Sequence, residues 1–413
     1  MSVIIRPCKI NGTIPAVPSK SYAHRILIAA ALSDAGCNVL CRASSDDIDA
    51  TVRCLNALGA DISRTATGFA VRPIKKVSDS PVLDCGESGS TLRFMLPVAC
   101  ALGANARFEG KGRLPQRPLG ELTDCLKSAG ISFSADGLPF SATGKLTGDV
   151  FETAGNVSSQ YISGMLFAMS ALPRRTRLVV KGDAVSRGYI DMTLDVLSSF
   201  GAKISALPDG YVSEPCVLTP PSEKTEVEGD WSNAAFMLVA GVLAGDVTVT
   251  GLNPESSQKD RLVADILKAM GGDIEIVGNS VRARKSALYA VVTDVTDTPD
   301  LAPVLSVAMA AAKGTSVMTG VSRLRQKESD RLSAVTENLA AMGIRSETDG
   351  DTLTIHGGTL KPFSAKGYND HRMVMSASVA ALVCGGEIDD GAPVAKSYPR
   401  FFEDLKALGG ETV

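Results

Sequence analysis

"ILKAMGGDI", residues 266–274, is one of six similar segments that recur along the 413-residue chain. In each, an amphipathic helix ends at a glycine, which readily adopts the left-handed conformation that closes helices, and most lead into a strand-like run. The other five are CLNALGADI (54–62), CLKSAGISF (125–133), VLSSFGAKI (196–204), NLAAMGIRS (338–346) and DLKALGGET (404–412). Their glycines are Gly59, Gly130, Gly201, Gly271, Gly343 and Gly409, and the spacings of 71, 71, 70, 72 and 66 residues divide the chain into six units.

Each unit also contains a second helix that is apolar on nearly all sides, such as SKSYAHRILIAAAL (19–32) or WSNAAFMLVAGVL (231–243). Helices of this kind are buried, so we expect the amphipathic set to cover them. Strand-like runs such as TRLVVKG (176–182) lie between the helices. The pattern predicts a β-α-β-α-β-β unit used six times, three copies in each of two α/β lobes. An open solenoid is the alternative, but solenoid repeats are usually about 20 to 45 residues long.

The composition is that of an ordinary globular chain, with 45% hydrophobic and 21% charged residues. A net charge of -3 gives no sign of nucleic-acid or membrane binding. Nine cysteines without a CxxC pair indicate buried reduced thiols, and only three histidines argue against a zinc or iron site. The start MSVIIRPCKI lacks a signal-peptide pattern, and no apolar run reaches about 18 residues. We therefore expect a cytoplasmic, metal-free protein.

Positive charges at helix starts are the unusual feature of the sequence. QKESDRLSAV (326–335) predicts a helix start with Ser329 as N-cap. Lys327 and Arg331 flank that start, although the positive end of the helix dipole favours acids there. Other helix starts repeat the pattern, at Lys20, Arg25, Arg93, Arg117, Arg187, Lys259, Arg372 and Lys396. If parallel helices in each lobe point their N-termini at a common cleft, dipoles and cations add, and the cleft attracts anions.

For several of these residues, a structural role without a ligand remains open. Two motifs of well-known enzyme classes are also absent from the sequence. Asp300 and Asp370 can each be explained as N-caps, and Lys20 or Arg117 alone as a solvated charge. Arg25 and Arg93 lie inside apolar runs, where an unpaired guanidinium is costly. No GxxxxGK[ST] or GxSxG stretch occurs, which excludes a nucleotide P-loop and leaves a Ser-His-Asp hydrolase poorly supported.

Nine motifs together carry a resemblance that spans nearly the whole chain. They are PSKSYAHR (18–25), GESGSTLRF (86–94), LPQRPLGEL (114–122), VSSQYISGML (157–166), VSRGYIDMTL (185–194), TPDLAP (298–303), RQKESDRL (325–332), YNDHRM (368–373) and AKSYPRFFEDL (395–405). In this order they resemble the 3-phosphoshikimate 1-carboxyvinyltransferase (EPSP synthase) family.

The resemblance implies a two-lobed inverse α/β barrel, with three βαβαββ repeats per lobe. It implies that residues 19–227 form a lobe with the shikimate 3-phosphate contacts. Residues 1–18 and 228–413 would form the other lobe, with the contacts to the carboxylate of phosphoenolpyruvate and the acid/base groups.

The reaction implied by the resemblance moves the enolpyruvyl group of phosphoenolpyruvate onto the 5-hydroxyl of shikimate 3-phosphate and releases phosphate. This step of the shikimate pathway leads to chorismate and the aromatic amino acids. Both substrates carry a phosphate and a carboxylate, which suits a cleft that collects anions. The resemblance implies no cofactor, and we expect a monomer with no nucleic-acid or membrane partner.

The site residues implied by the resemblance form two overlapping sets. For shikimate 3-phosphate they are Lys20, Ser21, Arg25, Ser158, Ser159, Gln160, Ser186, Tyr189, Asp300 and Lys327. For phosphoenolpyruvate they are Lys20, Gly89, Arg117, Gln160, Arg331, Arg372 and Lys396, with Arg331 and Arg372 holding the carboxylate.

The catalytic roles implied by the resemblance belong to Asp300, Lys327, Glu328 and Lys20. Asp300 would be the base for the 5-hydroxyl, with Lys327 beside that hydroxyl. Glu328 and Lys20 are candidates for proton transfer at the methylene carbon. Addition would give a tetrahedral ketal phosphate, from which phosphate is eliminated.

Glu87 and Gly89 lie two residues apart in the proposed phosphoenolpyruvate region. Gly89 leaves room beside the phosphate, so we expect sensitivity to glyphosate, a mimic of phosphoenolpyruvate. Glu87 stands where the family usually has Asn, so that it either pairs with a neighbouring cation or weakens anion binding.

Three rival functions fit the sequence less well. The UDP-N-acetylglucosamine enolpyruvyl transferase family carries a reactive Cys before its RP motif, whereas KGRLPQRP (111–118) has none. A non-catalytic two-lobed anion-binding protein has no use for Asp300 and Glu328 beside Lys327. An RNA 3′-phosphate cyclase needs a histidine nucleophile, and His371 lies in the transferase-like NDHRM.

Overall fold

The computed structural model describes residues 2–412, and the chain divides into two compact units. The continuous unit runs from Lys20 to Val227. The split unit joins the N-terminal residues up to Ser19 with the residues from Glu228 onward.

Twelve α-helices lie within residues 2–412. In the continuous unit they are α1 (Lys20–Ala31), α2 (Asp46–Leu58), α3 (Gly89–Ala101), α4 (Gly120–Ser128), α5 (Ser159–Ser170) and α6 (Arg187–Ser199). In the split unit they are α7 (Trp231–Ala244), α8 (Val263–Ala269), α9 (Ala302–Ala310), α10 (Arg331–Ala341), α11 (His371–Cys384) and α12 (Phe401–Ala407). Within the described residues, every helix is too short or too polar to cross a lipid bilayer.

The strands are short and numerous, and four 3₁₀ segments accompany them within residues 2–412. The strands are β1 (Val3–Ile5), β2 (Ile10–Pro15), β3 (Cys37–Leu40), β4 (Asp61–Thr65), β5 (Gly68–Arg72), β6 (Val82–Asp84), β7 (Ala106–Glu109), β8 (Ile131–Phe133), β9 (Phe140–Gly144), β10 (Val150–Ala154), β11 (Thr176–Lys181), β12 (Lys203–Leu207), β13 (Gly210–Glu214), β14 (Lys224–Glu226), β15 (Gly245–Thr250), β16 (Asp273–Val277), β17 (Ser280–Arg284), β18 (Val292–Asp294), β19 (Thr315–Thr319), β20 (Arg345–Asp349), β21 (Thr352–His356), β22 (Phe363–Ala365) and β23 (Gly386–Ile388). The 3₁₀ turns are Leu114–Gln116, Lys259–Leu262, Ser322–Gln326 and Ala392–Lys396.

Each complete repeat forms its own four-stranded sheet. In the repeat β6-α3-β7-α4-β8-β9, strands β6 and β7 are parallel, and β9 lies antiparallel between β7 and β8. The orders β10-β11-β13-β12 and β18-β19-β21-β20 repeat this arrangement. The β-α-β-α-β-β unit is therefore realised as predicted.

Strands that are distant in sequence complete the remaining repeats. Strand β14 pairs in parallel with β3 and supplies the first strand of the first repeat. Strand β2 pairs in parallel with β15 and does the same for the fourth repeat. The sixth repeat has a three-stranded sheet of order β1-β23-β22, so the chain start provides its outer strand.

Helix burial follows the two sequence patterns. Every residue of α7 except Ser232 is buried, as an all-round apolar helix requires. In α2 the buried residues include Ile48, Thr51, Leu55 and Leu58, which form a single stripe. All nine cysteines are free thiols, and six of them are buried.

Each of the six repeat glycines follows the last turn of a helix, and each has a positive φ. Their φ values lie between 78° for Gly343 and 115° for Gly59. A side chain is strained in that region, whereas glycine is not. This confirms the C-cap prediction for all six repeats.

Candidate active site

In the continuous unit, Lys20 at the start of α1 pairs with the first turn of α2. Its Nζ lies 2.9 Å from Oδ2 of Asp47, and both side chains are 14% exposed. Lys20 is therefore held at a fixed place while part of its surface stays accessible. Asp47 was not singled out from the sequence, although an acid in a first helical turn is ordinary there.

Arg25, one turn further along α1, is buried and anchored on three sides. Its Nη1 donates to the carbonyl of Ser21 at 2.7 Å, its Nη2 to the carbonyl of Tyr189 at 2.8 Å, and its Nε to Oγ1 of Thr193 at 2.8 Å. Burial lowers the pKa of Arg25 to about 10, so it remains a cation at neutral pH. These bonds join α1 to α6 and bring Ser21, Arg25 and Tyr189 together.

The starts of α5 and α6 present the predicted phosphate hydroxyls. Ser158 caps α5 and its Oγ accepts from the backbone N–H of Gln160 at 3.3 Å. Ser186 precedes α6 in a left-handed conformation, with φ of 53°, and α5 packs against α6. Two helix N-termini with serines at their first residues form a suitable anion site.

Gln160 links the start of α5 to the start of α3. Its Oε1 accepts from Nη1 of Arg93 at 2.9 Å, and its Nε2 donates to Oγ of Ser90 at 2.8 Å. A Cβ built on Gly89 would lie only 2.4 Å from Nη1 of Arg117 and 2.6 Å from Nη1 of Arg93. Gly89 is thus flanked by two guanidinium groups.

Arg93 belongs to this cluster, although the resemblance assigned it no role. Its Nη2 donates to the carbonyl of Pro118 at 2.9 Å, next to Arg117. The signal was visible in the sequence, because Arg93 lies one helical turn after Gly89 within an apolar run. Glu87 lies against the loop that contains Gly112 and leads to Arg117. A Cβ built on Gly112 would be 2.5 Å from the carboxyl carbon of Glu87.

In the split unit, Arg331 is the centre of a buried ionic network. It is 1% exposed and contacts Asp370 at 2.8 Å, Asp300 at 2.8 Å and Glu328 at 2.6 Å. Asp370 also caps α11, since its Oδ1 accepts from the backbone N–H of Arg372 at 3.0 Å. The charge of Arg331 at the start of α10 is therefore balanced by three carboxylates from three helix starts.

Asp300 accepts hydrogen bonds from Arg331 and Arg372, the two arginines that were predicted to bind the carboxylate of phosphoenolpyruvate. Its Oδ2 accepts from Nη2 of Arg372 at 2.7 Å and its Oδ1 from Nη1 of Arg331 at 2.8 Å, while Nζ of Lys327 lies 4.0 Å away. Burial opposes its ionisation, but Arg372, Lys327 and Arg331 outweigh burial and hold the pKa of Asp300 well below its usual range. Burial also lowers the pKa of Lys327 to about 8.

The prediction of Ser329 as an N-cap is wrong, and the alternative interpretation of Asp300 as an N-cap does not hold either. The cap of α10 is Asp330, whose carboxylate accepts from the backbone N–H of Ser333 at 3.1 Å. Ser329 instead donates to Asp370 at 3.0 Å. Helix α9 begins at Ala302, too far along the chain for Asp300 to cap it. In both places the capping-competent side chain has a stronger ionic partner nearby.

Lys396 lies at the end of a 3₁₀ turn and contacts the segment before α11. Its Nζ donates to the carbonyl of Asn369 at 2.7 Å. Tyr368 and Asn369 both have positive φ, 53° and 52°. The carbonyl that Lys396 binds therefore belongs to a left-handed stretch of backbone.

The predicted site residues thus gather within each unit. The continuous unit carries Lys20, Ser21, Arg25, Gly89, Arg117, Ser158, Ser159, Gln160, Ser186 and Tyr189. The split unit carries Asp300, Lys327, Glu328, Arg331, Arg372 and Lys396. Almost all lie at or beside helix N-termini, which suits ligands that are anions.

Comparison with known proteins identifies the family of the whole chain. The sequence profile described as EPSP synthase (3-phosphoshikimate 1-carboxyvinyltransferase) matches residues 5–405. The chain belongs to the EPSP synthase family.

Relatives of the EPSP synthase family align along the full chain. The 3-phosphoshikimate 1-carboxyvinyltransferase of Clostridium acetobutylicum is 39% identical over 99% of this chain and 97% of its own length. The protein of that name from Methanocorpusculum labreanum is 33% identical over 100% of this chain and 99% of its own.

Solved structures share the EPSP synthase fold. An EPSP synthase from Acinetobacter baumannii superposes with a TM-score of 0.82 at 24% identity, covering 100% of this chain and 99% of that one. The enolpyruvyl transferase NikO from Streptomyces tendae gives 0.78 at 20% identity, covering 100% and 98%. The predicted fold class of two lobes built from βαβαββ repeats is confirmed.

Proposed function

We propose that this protein transfers the enolpyruvyl group of phosphoenolpyruvate to the 5-hydroxyl of shikimate 3-phosphate, with release of phosphate. The observation that carries the proposal is the cluster of Asp300 and Lys327, both half-buried, with the buried Arg331 and Arg372, in a chain of the EPSP synthase family. In this cluster the carboxylate of Asp300, which we take as the base, lies next to two guanidinium groups and an ammonium group. A protein that merely stores an anion has no need for the carboxylate.

In the continuous unit, we assign the carboxylate of shikimate 3-phosphate to Ser21 and Arg25. Its phosphate is assigned to the starts of α5 and α6, with Ser158, Ser159 and Ser186 as donors and Tyr189 nearby. Gln160, which bridges Arg93 and Ser90, is assigned to both substrates. The phosphate of phosphoenolpyruvate is assigned to Lys20, Gly89 and Arg117.

In the split unit, we assign the carboxylate of phosphoenolpyruvate to Arg331 and Arg372, and Lys396 to its phosphate. Arginine binds planar carboxylates through paired N–H groups, which suits this role. Lys327 lies 4.0 Å from Asp300, so that it can contact the hydroxyl from which Asp300 removes a proton.

The proposed chemistry consists of an addition and an elimination. The 5-hydroxyl oxygen bonds to C2 of phosphoenolpyruvate, Asp300 accepts the hydroxyl proton, and C3 receives a proton from Lys20 or Glu328. The C2–O bond to phosphate then breaks, and the resulting methyl group returns a proton to restore the double bond. The arginines and lysines oppose the negative charge that spreads along this path.

Asp300 is a weak base as long as Arg331 and Arg372 both donate hydrogen bonds to its carboxylate. A carboxylate that accepts from two guanidinium groups has little affinity for a further proton. The carboxylate of phosphoenolpyruvate competes with Asp300 for the same N–H groups. Its arrival therefore releases Asp300 and raises its basicity at the moment when the acceptor hydroxyl must be deprotonated.

The deciding experiment mixes the purified protein with both substrates, without added metal, and follows phosphate release. We expect release only when both substrates are present. Asp300→Ala should lower the rate by about 10²- to 10⁴-fold, the contribution typical of a general base. Asp349→Ala, at an exposed position of β20 in the same unit, is the matched control and should be fully active.

Binding measurements separate the remaining alternatives. Tight binding of shikimate 3-phosphate by the wild type without turnover would favour an anion-binding protein. Turnover with a UDP-sugar acceptor in place of shikimate 3-phosphate would move the protein to the neighbouring transferase. The cytoplasmic location and the monomeric state stay predictions, which fractionation and size-exclusion chromatography can test.

A further inference from the structure

A chain of buried hydroxyl groups joins the three helices around the proposed phosphoenolpyruvate phosphate site. Nδ1 of His24 lies 2.7 Å from Oγ1 of Thr51, which lies 2.7 Å from Oγ1 of Thr91. Thr91 in turn donates to Oγ of Ser88 at 2.8 Å. His24, Thr51, Thr91 and Ser88 are each 1% exposed or less. We call these four residues the relay.

The relay lies one helical turn below the Lys20–Asp47 pair. Lys20 and His24 are four residues apart on α1, and Asp47 and Thr51 are four residues apart on α2, so each pair shares a helix face. The ion pair and the His24–Thr51 bond are thus two successive links between α1 and α2. Thr91 extends the second link to α3, and its hydroxyl also lies 3.3 Å from the carbonyl of Asp47.

The end of the relay is the N-cap of α3. Oγ of Ser88 accepts from the hydroxyl of Thr91 and from its backbone N–H at 3.2 Å. The next residue is Gly89, which is flanked by Arg93 and Arg117. Any shift of this cap moves the backbone that faces the proposed phosphate.

The protonation state of His24 determines which group donates and which accepts in each hydrogen bond of the relay. Burial, together with Lys20 and Arg25, lowers the pKa of His24 well below its ordinary value, so the imidazole is neutral. Among residues 2–412, Nε2 of His24 has no hydrogen-bond partner. A proton on Nε2 would be a buried donor without an acceptor, so the favourable tautomer carries it on Nδ1. His24 then donates to Thr51, Thr51 to Thr91 and Thr91 to Ser88.

We propose that His24, Thr51 and Thr91 are positioning residues for phosphoenolpyruvate, which set the start of α3 at a fixed distance from Lys20. This inference rests on the proposed function, because it takes the phosphate site at Gly89 and Lys20 as given. None of the three residues touches the substrate under this proposal. Their loss should therefore weaken binding of phosphoenolpyruvate. It should have little effect on shikimate 3-phosphate, whose phosphate is assigned to the starts of α5 and α6 and whose carboxylate is assigned to Ser21 and Arg25, outside the relay.

The test compares Thr51→Val with Thr51→Ser in steady-state assays that vary each substrate in turn. Valine keeps the shape of threonine and removes the hydroxyl, whereas serine keeps the hydroxyl and removes the methyl group. Valine removes the hydroxyl from both of its hydrogen bonds, to His24 and to Thr91. We expect Thr51→Val to raise KM for phosphoenolpyruvate about 3- to 10-fold, a change comparable to the net effect of a single hydrogen bond. Its KM for shikimate 3-phosphate should stay within twofold, and Thr51→Ser should behave like the wild type.

Equal effects of valine and serine would mean that only packing matters, and would overturn the relay. So would a parallel rise of both KM values, or an unchanged KM for phosphoenolpyruvate in a folded Thr51→Val protein. If Thr51→Val does not fold, Thr91→Val against Thr91→Ser makes the same comparison at the next hydroxyl of the relay. An active wild type keeps the proposed function standing whatever these variants do, so the two failures are distinguishable.

Discussion

Gly89 offers the sharpest test of the proposed phosphoenolpyruvate site. A Cβ at this position would lie 2.4 Å from Nη1 of Arg117, whereas ordinary contacts begin at 3.4 Å, so the guanidinium must retreat by 1.0 Å. Arg93, at 2.6 Å, must retreat by 0.8 Å. Both obstacles are ends of flexible side chains, so the fold tolerates Gly89→Ala. The change displaces the cations and not the helix.

The expected consequence is a selective loss of affinity for phosphoenolpyruvate. A misplacement of about 1 Å near the reacting groups can reduce activity by about 10²-fold. We expect KM for phosphoenolpyruvate to rise by roughly 10- to 100-fold on that basis. Glyphosate should inhibit the variant less strongly than the wild type, because it mimics the displaced substrate. KM for shikimate 3-phosphate should change little.

The matched control for this experiment is Gly120→Ala. Gly120 is also the first residue of a helix, α4, but a Cβ there meets nothing within 4 Å. Kinetics and glyphosate inhibition of both variants should be measured beside their thermal unfolding. Unchanged glyphosate sensitivity in Gly89→Ala, with the protein folded, would refute the placement of Arg117 and Gly89 at the phosphate. A loss shared with Gly120→Ala would mean that the added methyl group acts through the helix.

Three further predictions concern the split unit. Because the pKa of Lys327 is about 8, this side chain loses its charge above about pH 8, and kcat/KM should fall there. Lys327→Arg should abolish this alkaline decrease. A pH profile identical in both proteins would assign the decrease to another group. Burial and the neighbouring Asp300 raise the pKa of Asp260 from 3.8 to about 7. Between these two pH values the folded state holds a proton that the unfolded state has released. The free energy of unfolding should therefore fall as pH rises through this range. Urea titrations should show a flatter dependence in Asp260→Asn, and an unchanged slope would contradict the assignment. Arg331→Met should lower the free energy of unfolding by about 3–5 kcal/mol, since it leaves buried carboxylates without their partner, while Arg345→Met, at an exposed pair, should leave it nearly unchanged; equal losses in thermal and urea unfolding would contradict the network.

The repeat was predictable from sequence because its signals are local. A glycine at a left-handed C-cap and an apolar helix leave marks within a few residues, as Gly59 and α7 show. Pairing across the chain leaves no such mark. Nothing in VII (3–5) indicates that β1 completes the sheet of β23, because Val3 pairs with Ile388 at the far end of the chain.

The site was predictable in its residue types and less so in its pairings. Cations at helix starts were visible, and so was the isolated Arg93. The bonds from Asp300 to Arg331 and Arg372 span 31 and 72 residues and depend on how α9, α10 and α11 are arranged. The choice of Asp330 over Ser329 as cap was equally hidden, because adjacent residues of similar capping ability differ only in their tertiary partners.

The pairing of β2 with β15 has a consequence for how the chain is made. Pro15 aligns with Thr250 and Ile10 with Gly245, so a ribosome must add well over 200 residues after β2 before its partner strand exists. At about 5–20 residues per second this takes roughly 10 to 50 s. During that time the whole continuous unit emerges, including β14, which closes its first sheet. The unit synthesised in one piece can therefore fold first, while the first strands of the chain wait, unpaired, for the second half of the protein.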